Sequence, residues 1–388
     1  MKKIAVVTAT RAEYGLLSPI IKELRKYEST DLQVNLIVTG THLSDLFGAT
    51  VHEIENDNVR IDYRIPISVS TDTELDISKN QADVLIKFTE HFIEKRYDAV
   101  IIFGDRYEAL SIAIAAGNSR TPIFHISGGD TTEGALDEWM RHSITKMSCL
   151  HFVTNEDSKS RVIQLGEDPH YVYNYGSTSI DNILHMHDIS KKDALLEIGL
   201  KECKYAICTY HPVTMDMEGV ERQISNFIKA ISCFPNIQFI VTKSNADQGG
   251  SKINKMLDEA EKKINNLSVY TSLGIQKYLS LMKHAELVLG NSSSGIVEAP
   301  AFRVPTVNIG DRQRGRLQSE SVINCGDTVT NIVEAVEIAL SDEHRKKCLH
   351  VISPYGDGQA AEKIAKKAVE TVLTGRIDLK KRFYDLKG

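Results

Sequence analysis

The sequence predicts an α/β protein of two domains, each a parallel sheet with helices on both faces. Three observations lead there. The 388 residues exceed the ~250–300 at which a single core stops growing, so two domains of ordinary size are expected. Short β-branched runs alternate with amphipathic stretches through most of the chain, the pattern of strand, crossover helix and parallel strand. After Gly176 that alternation halts, passes through a polar segment containing Ser190-Lys191-Lys192-Asp193, and starts again. The boundary is therefore placed so that 1–180 form the first domain and 181–364 the second.

In the first half, strands are expected at Ile4–Thr8, Val34–Thr39, Ala99–Phe103, Ile123–Ile126, His151–Thr154 and Tyr171–Tyr175. Between them fall helical patterns such as Ser18–Tyr27, where Ile20, Ile21 and Leu24 make one apolar stripe. The second half repeats the arrangement with strands at Tyr205–Thr209, Ile237–Val241, Val269–Tyr270, Leu287–Leu289 and Thr306–Ile309. Past the turn-like Pro354-Tyr355-Gly356-Asp357-Gly358, helical spacing of Ile364, Ala368, Val369 and Val372 predicts a terminal helix over Gln359–Thr374, long enough to pack back on the first domain.

Composition narrows the function classes. A hydrophobic fraction of 42% and a charged fraction of 25% are those of an ordinary globular protein, and a net charge of -6 offers no generally basic face, so nucleic acid is not an expected partner. The apolar run after Met1-Lys2-Lys3 is broken by Arg11 and Glu13, which reads as a buried first strand rather than a leader peptide. No apolar stretch approaches the ~18–20 residues needed to cross a bilayer, so no membrane partner is expected. Six cysteines stand without a CxxC pair or metal-ligand spacing, which disfavours zinc and a disulfide framework and fits a reducing cytoplasm.

In open α/β sheets ligands bind where strands end and helices begin. The first strand runs into Thr8-Ala9-Thr10-Arg11-Ala12-Glu13-Tyr14-Gly15, which sets a guanidinium beside a helix start, a position suited to a diphosphate. Arg11 taken alone is equally a surface ion pair, and the stretch is neither a P-loop nor a GxGxxG, so a nicotinamide cofactor is not indicated. Phe103-Gly104-Asp105-Arg106-Tyr107-Glu108 presents Asp105 at a strand end, as a cleft carboxylate or as a helix N-cap. His125-Ile126-Ser127-Gly128-Gly129-Asp130-Thr131-Thr132-Glu133-Gly134 is a flexible loop with two acids. The helix after it carries Asp137, Arg141 and His142, with Asp137 and Arg141 four apart as site residues or as an i,i+4 ion pair.

In the second half, Tyr210-His211-Pro212 follows a strand, and Pro212 helps to end it and expose His211 at the edge. The strongest local signal is Leu289-Gly290-Asn291-Ser292-Ser293-Ser294-Gly295 before a helix expected over Ile296–Phe302. Glycine and hydroxyl groups leading to a helix start supply N–H groups, hydroxyl donors and a positive dipole end for phosphate, although serines also cap helices without any ligand. Glu298, three residues on, can accept from two ribose hydroxyls. Gly310-Asp311-Arg312-Gln313-Arg314-Gly315-Arg316 adds three cations near the same edge, or is simply a solvated basic loop.

Six of these segments, in order, resemble motifs of the hydrolysing UDP-N-acetylglucosamine 2-epimerases of bacterial sialic acid synthesis: Thr10-Arg11-Ala12-Glu13-Tyr14-Gly15, Gly104-Asp105-Arg106-Tyr107-Glu108, Arg141-His142-Ser143-Ile144-Thr145-Lys146, His211-Pro212, Gly290-Asn291-Ser292-Ser293-Ser294-Gly295 and Gly310-Asp311-Arg312-Gln313. The resemblance spans nearly the whole chain. It implies the glycosyltransferase-B fold, two Rossmann-like domains facing across a cleft, with the terminal segment 365–388 returning to the first. It further implies that Arg11, Arg106, His211, Ser292 and Ser293, with Ser294 and Gly295 of the same helix start, contact the phosphates. Glu298 would hold the ribose, Arg312 would lie on the nucleotide side, and Asp105, Asp137 and Arg141 would surround the sugar. Some relatives have Glu where this chain has Asp130, which leaves either Asp130 or Glu133 as the acid nearest C2 of the sugar. Non-hydrolysing relatives place a lysine shortly after the first arginine, whereas Gly15-Leu16 stands here, so Arg11 and Arg106 must compensate.

The reaction implied is elimination of UDP from UDP-N-acetylglucosamine to a 2-acetamidoglucal, then hydration to N-acetylmannosamine. The C2 proton is not next to a carbonyl and leaves only as the C1–O bond breaks, so stabilising the departing diphosphate dominates and two carboxyls handle the proton. His211 is counted with the catalytic groups, and no metal or redox cofactor is required. The expected partners are the UDP-sugar, the UDP product and further copies of the chain in a homodimer or homotetramer. The same chemistry on UDP-2,4-diacetamido-2,4,6-trideoxyglucose is the near alternative; a UDP-sugar glycosyltransferase and a non-catalytic nucleotide-sugar sensor are more distant ones.

Overall fold

The computed structural model describes all residues except 71–72, 134–135, 214–218, 245–248, 376 and 387–388. Contacts divide the chain into two compact units: Met1–Asp130, Asp137–Asn182 and Tyr355–Gly388 form unit one, while Thr131–Leu136 and Ile183–Pro354 form unit two. The return to unit one thus begins at Tyr355, and the short piece after Asp130 groups with the second unit.

Among the described residues, unit one holds seven strands: β1 Lys2–Thr8, β2 Leu32–Thr39, β3 Tyr63–Ile65, β4 Ala99–Phe103, β5 Ile123–Ile126, β6 Leu150–Val153 and β7 Val172–Asn174. They lie in the order β3-β2-β1-β4-β5-β6-β7, with every pairing parallel. The inner strands are apolar on both faces because helices cover both: Ile4, Val6, Leu36 and Ile101 face one helical layer, and Ala5, Val7, Val100 and Ile102 the other. Such strands read as continuous apolar runs rather than as alternation. Unit two holds β8 Tyr205–Thr209, β9 Gln238–Thr242, β10 Leu267–Tyr270, β11 Leu287–Gly290, β12 Thr306–Ile309 and β13 Val322–Cys325. Their order is β10-β9-β8-β11-β12-β13, again all parallel.

Each sheet reverses its winding once, between β1 and β4 in unit one and between β8 and β11 in unit two. Outside the carboxyl ends of strands at such a reversal lies the crevice where α/β sheets take ligands. The segments placed there are Ala9–Arg11 with Gly104–Arg106, and Tyr210–His211 with Asn291–Ser292.

Three sequence expectations are corrected. β3 and β13 are absent from the predicted set; both are sheet edges of three or four partly exposed residues, and β3 carries Arg64 at its centre. The first helix runs over Arg11–Arg25 and not Ser18–Tyr27. Thr10 caps it, with its side chain accepting from Glu13 N while the Glu13 carboxylate accepts from Ala9 N at 2.7 Å and Thr10 N at 3.2 Å, a reciprocal capping box. Pro19 sits inside this helix without an N–H for the Gly15 carbonyl. Asn182 Nδ2 donates to that carbonyl at 2.7 Å, and Thr178 Oγ1 donates to the next, Leu16 O, at 2.7 Å. Finally, the segment after the serines is a four-residue helix, Ser294–Val297, followed by a 3-10 turn over Ala299–Phe302 containing Pro300.

The final helix, Ala360–Thr374, packs within unit one: Ala361, Ile364, Ala365, Ala368 and Val372 join a core with Leu17, Ile20, Ile21 and Leu24 of the first helix. Asp181 anchors its start by accepting from Ala360 N at 3.2 Å and Ala361 N at 2.9 Å, which places a carboxylate at the positive end of the helix. Among the described residues, no helix is long and apolar enough to cross a membrane.

Candidate active site

In unit one, the β4 end turns at Gly104, whose φ of +73° lies in the left-handed region that glycine enters without strain. The turn delivers Asp105 to Arg141, a guanidinium only 1% exposed. Arg141 Nε donates to Asp105 Oδ2 at 2.8 Å and a terminal nitrogen donates to the same oxygen. Its other terminal nitrogen donates to the Asp130 carbonyl at 2.7 Å and to Glu138 Oε2 at 2.6 Å. Burial acts to strip the charge from Arg141, yet Asp105, Asp130 and Glu138 outweigh it and hold the guanidinium above its ordinary pKa. This knot gathers the β4 turn, the β5 loop and the Asp137–Met147 helix around one buried cation. The Asp130 carboxylate is itself oriented, since its Oδ1 accepts from Thr154 Oγ1 at 2.7 Å and from Ser158 Oγ at 2.6 Å.

His125, on β5, braces the knot from beneath. Burial pushes its pKa down to about 3, so the ring is neutral. Its Nε2 lies 2.7 Å from the Gly104 carbonyl, which can only accept, so the proton sits on Nε2. Nδ1 then faces Thr145 Oγ1 at 3.2 Å, and that hydroxyl is 3.0 Å from the Arg141 carbonyl. Glu138 also reaches His142 Nε2 at 3.2 Å.

Arg11 occupies the first position of its helix, beside the capped turn at Thr10. Arg106, at the matching start after β4, is held by the fully buried Glu108, with Nε 3.2 Å from Oε2 and a terminal nitrogen 3.4 Å from Oε1. Glu13 lies close by, and its carboxyl is pushed up to about 7, chiefly by burial and next by Glu108, against the opposing pull of Arg106.

In unit two, Asn291 locks two loops together. Its Oδ1 accepts from His211 N at 2.7 Å and its Nδ2 donates to His211 O at 2.8 Å. The Asn291 carbonyl accepts from Arg312 Nη1 at 3.1 Å and from Gln313 Nε2 at 2.9 Å. One asparagine therefore sets His211, the start of the serine run and Arg312 side by side. Gly290 is required because a Cβ there would run into the Thr209 carbonyl of β8, and Gly295 because a Cβ would meet Thr306 Cγ2 at 2.8 Å. His211 is buried, with Nδ1 3.2 Å from Ser244 Oγ. Ser294 Oγ lies 2.6 Å from the Tyr278 hydroxyl and 3.3 Å from Ser292 Oγ. Ser293 is the N-cap of the short helix but makes no side-chain cap bond, so capping does not account for that hydroxyl. Glu298 closes the same helix and is partly buried.

Glu133 does not group with Asp130. It belongs to unit two, its side chain is 55% exposed, and Oε2 is 3.8 Å from Arg314 Nε. Arg316 Nε donates to the Thr131 carbonyl at 3.0 Å. Beside these residues unit two has a cleft of about 700 Å³ lined by Tyr210, Val213, Asn308, Asp311 and Arg314 among others. The candidates thus divide: Arg11, Asp105, Arg106, Asp130, Asp137 and Arg141 belong to unit one, and Glu133, His211, Ser292, Ser293, Ser294, Gly295, Glu298 and Arg312 to unit two.

Glu138, His125, Glu13 and Asn291 escape a sequence reading. Glu138 has the clearest signal, since it lies three before Arg141 and four before His142 and thus on their helix face. Asn291 lay inside a recognised motif without a role of its own.

Two parallel Rossmann-like sheets, each with polar and charged loops at its reversal point, make this a protein of the glycosyltransferase-B class of fold. A solved structure of UDP-GlcNAc 2-epimerase from Neisseria meningitidis, bound to UDP-GlcNAc, shares the architecture, with a TM-score of 0.81 at 21% identity over 95% of this chain and 100% of that one. The family model for UDP-N-acetylglucosamine 2-epimerase matches residues 22–368. The GDP/UDP-N,N'-diacetylbacillosamine 2-epimerase (hydrolyzing) of Campylobacter jejuni is 39% identical over 388 residues, covering 99% of both chains. Polysialic acid biosynthesis protein P7 of Escherichia coli is 37% identical over 387 residues, or 100% of this chain and 98% of that one. The chain belongs to the UDP-N-acetylglucosamine 2-epimerase family, on its hydrolysing branch.

Proposed function

We propose that the protein releases UDP from a UDP-2-acetamido sugar and inverts the configuration at C2. The observation that carries this reading is the Arg141 knot, which fixes the Asp105 and Asp130 loops around one buried cation at the sheet reversal where a ligand belongs. On this reading Arg11 and Arg106 take the diphosphate together with His211, the Ser292–Gly295 helix start and Arg312, and Glu298 takes the ribose. As the C1–O bond breaks, its electron pair leaves with UDP, and donors aimed at the departing oxygens contribute a few kcal/mol each.

A carboxylate then accepts the C2 proton, and its C–H electron pair forms the C1–C2 double bond of a 2-acetamidoglucal. Water adds its oxygen at C1 while an acid group returns a proton to C2 from the opposite face, which is where the inversion arises. Two of Asp105, Asp130 and Asp137 supply these carboxyls. Asp130 is assigned over Glu133 because its loop is bonded to Arg141, whereas Glu133 is exposed against Arg314.

Two substrates satisfy this chemistry. UDP-N-acetylglucosamine would give N-acetylmannosamine for sialic acid synthesis. UDP-2,4-diacetamido-2,4,6-trideoxyglucose, the diacetylbacillosamine nucleotide, is the second, favoured by the name of the Campylobacter relative. The six cysteines are all free thiols, which suits a reducing cytoplasm. Incubation with each UDP-sugar separately, with the free sugar identified by NMR, tests the reading. Release of UDP and an epimerised sugar from one of them supports it, and no release from either without an added acceptor overturns it.

A further inference from the structure

The segment 377–386, beyond the final helix, lies along unit one in a way the reaction chemistry does not explain. It adds little to the core: Leu379, Phe383 and Leu386 are all more than half exposed. Its polar contacts converge instead on one place. Lys381 Nζ donates to Lys146 O at 2.7 Å, to Ser148 O at 2.6 Å and, more weakly, to Thr145 O at 3.4 Å. These are the carbonyls at the end of the Asp137–Met147 helix, where a cation both satisfies orphan acceptors and complements the dipole.

The same ammonium meets Glu167 Oε2 at 2.5 Å. Glu167 is 3% exposed and also receives Lys146 at 2.7 Å and His151 Nε2 at 2.9 Å. Two further contacts hold the segment in place: the Phe383 ring lies over Gly166, where no side chain would fit, and Tyr384 N donates to the Gly166 carbonyl at 2.9 Å. Lys146 also sits 4.7 Å over the Phe383 ring.

We propose that Lys381 is a positioning residue for the reaction: by fastening the far end of the Asp137–Met147 helix to the buried Glu167, it fixes where Arg141 meets Asp105. The path is short. Thr145, whose carbonyl faces Lys381, lies one turn from Arg141, and its hydroxyl touches both the Arg141 carbonyl and His125. His125 in turn bonds the Gly104 carbonyl next to Asp105. A loosened last turn therefore displaces Arg141 and Asp105 together.

The inference rests on the epimerase reading, so its test has one readout that needs no activity. In the full chain, K381M, K381R and E167Q are compared with wild type for kcat and KM of UDP release, thermal midpoint, and hydrogen exchange of a peptide spanning 137–147. K381M is expected to lower kcat about tenfold, less than the roughly hundredfold that a 1 Å misplacement costs. KM stays within about twofold, because the diphosphate groups of unit two are untouched, and exchange in 137–147 quickens. K381R restores most of kcat, since it keeps the cation. E167Q, which leaves the carbonyl contacts in place, shifts kcat and exchange in the same direction by less, and serves if K381M does not fold. Wild-type kcat with unchanged exchange in K381M or E167Q overturns the proposal. So does a kcat loss matched by a fallen thermal midpoint and not rescued by K381R, which would make the segment merely structural. If the wild type releases UDP from no UDP-sugar, the functional reading fails, while the exchange data still decide whether Lys381 fastens the helix.

Discussion

Asp105→Asn is the substitution that asks most of the Arg141 knot. It removes one negative charge from beside a guanidinium that is almost wholly buried, and the amide oxygen left to accept the two N–H bonds that Oδ2 now takes carries no formal charge. Breaking a fully buried pair by removing one partner costs about 3–5 kcal/mol. Here the Asp105 side chain is 23% exposed and Arg141 keeps Glu138 and the Asp130 carbonyl, so roughly 2 kcal/mol is the expected loss of stability. The effect on turnover should be far larger, because a carboxylate that accepts the C2 proton has no substitute in an amide: kcat is expected to drop by about 10³-fold or more. UDP affinity should stay within about threefold, since the groups assigned to the diphosphate keep their places. Urea unfolding, a coupled assay of UDP release and calorimetry with UDP measure the three quantities. Turnover within a few-fold of wild type would refute the catalytic role of Asp105, and a large loss of UDP affinity would show that the knot serves binding instead.

Glu13→Gln should change how stability depends on pH. The carboxyl is raised to about 7 from 4.5, so wild type loses stability as pH climbs through that window, by roughly 3 kcal/mol in all, while below 4.5 both states are protonated and the group contributes no slope; the variant, followed by chemical unfolding from pH 4 to 8, should gain on wild type as pH rises, and parallel profiles would contradict the shift. Asn291→Ala removes both bonds that tie His211 to the serine loop and should weaken UDP binding about tenfold with little change in fold content by circular dichroism; unaltered affinity would separate that loop from the nucleotide. Asn182→Leu leaves the Gly15 carbonyl without its donor above Pro19 and should cost about 1–3 kcal/mol in thermal or urea unfolding, whereas an unchanged midpoint would mean that the carbonyl needs no partner.

What the sequence revealed and what it hid follow from how local each determinant is. Buried central strands such as Ala99–Phe103 and Leu287–Leu289 announce themselves because both faces are covered, so the whole run is apolar. The edges β3 and β13 do not, since none of their residues is fully buried and three or four residues give no period. The stripe of Ile20, Ile21 and Leu24 marked only the later turns of the first helix, which begins seven residues before Ser18; Asn182, which serves the Gly15 carbonyl that Pro19 cannot, is 167 residues away and has no local signature. The motif residues of the site were legible by type and position, but their partners were not. Asp137 and Arg141 suggested an i,i+4 pair, while the structure joins Arg141 to Asp105, 36 residues earlier, and to Glu138. Lys381 is further still from the helix end it caps, and nothing sets it apart from Lys380 and Arg382 on either side until the chain is folded.

The central claim is that UDP leaves by elimination and that the C2 hydrogen is exchanged on the way. Turnover of the accepted UDP-sugar in D2O, with the released sugar followed by NMR, tests it directly. The account predicts UDP release with deuterium at C2 of an epimerised sugar; UDP release with the original hydrogen still on C2 would contradict it.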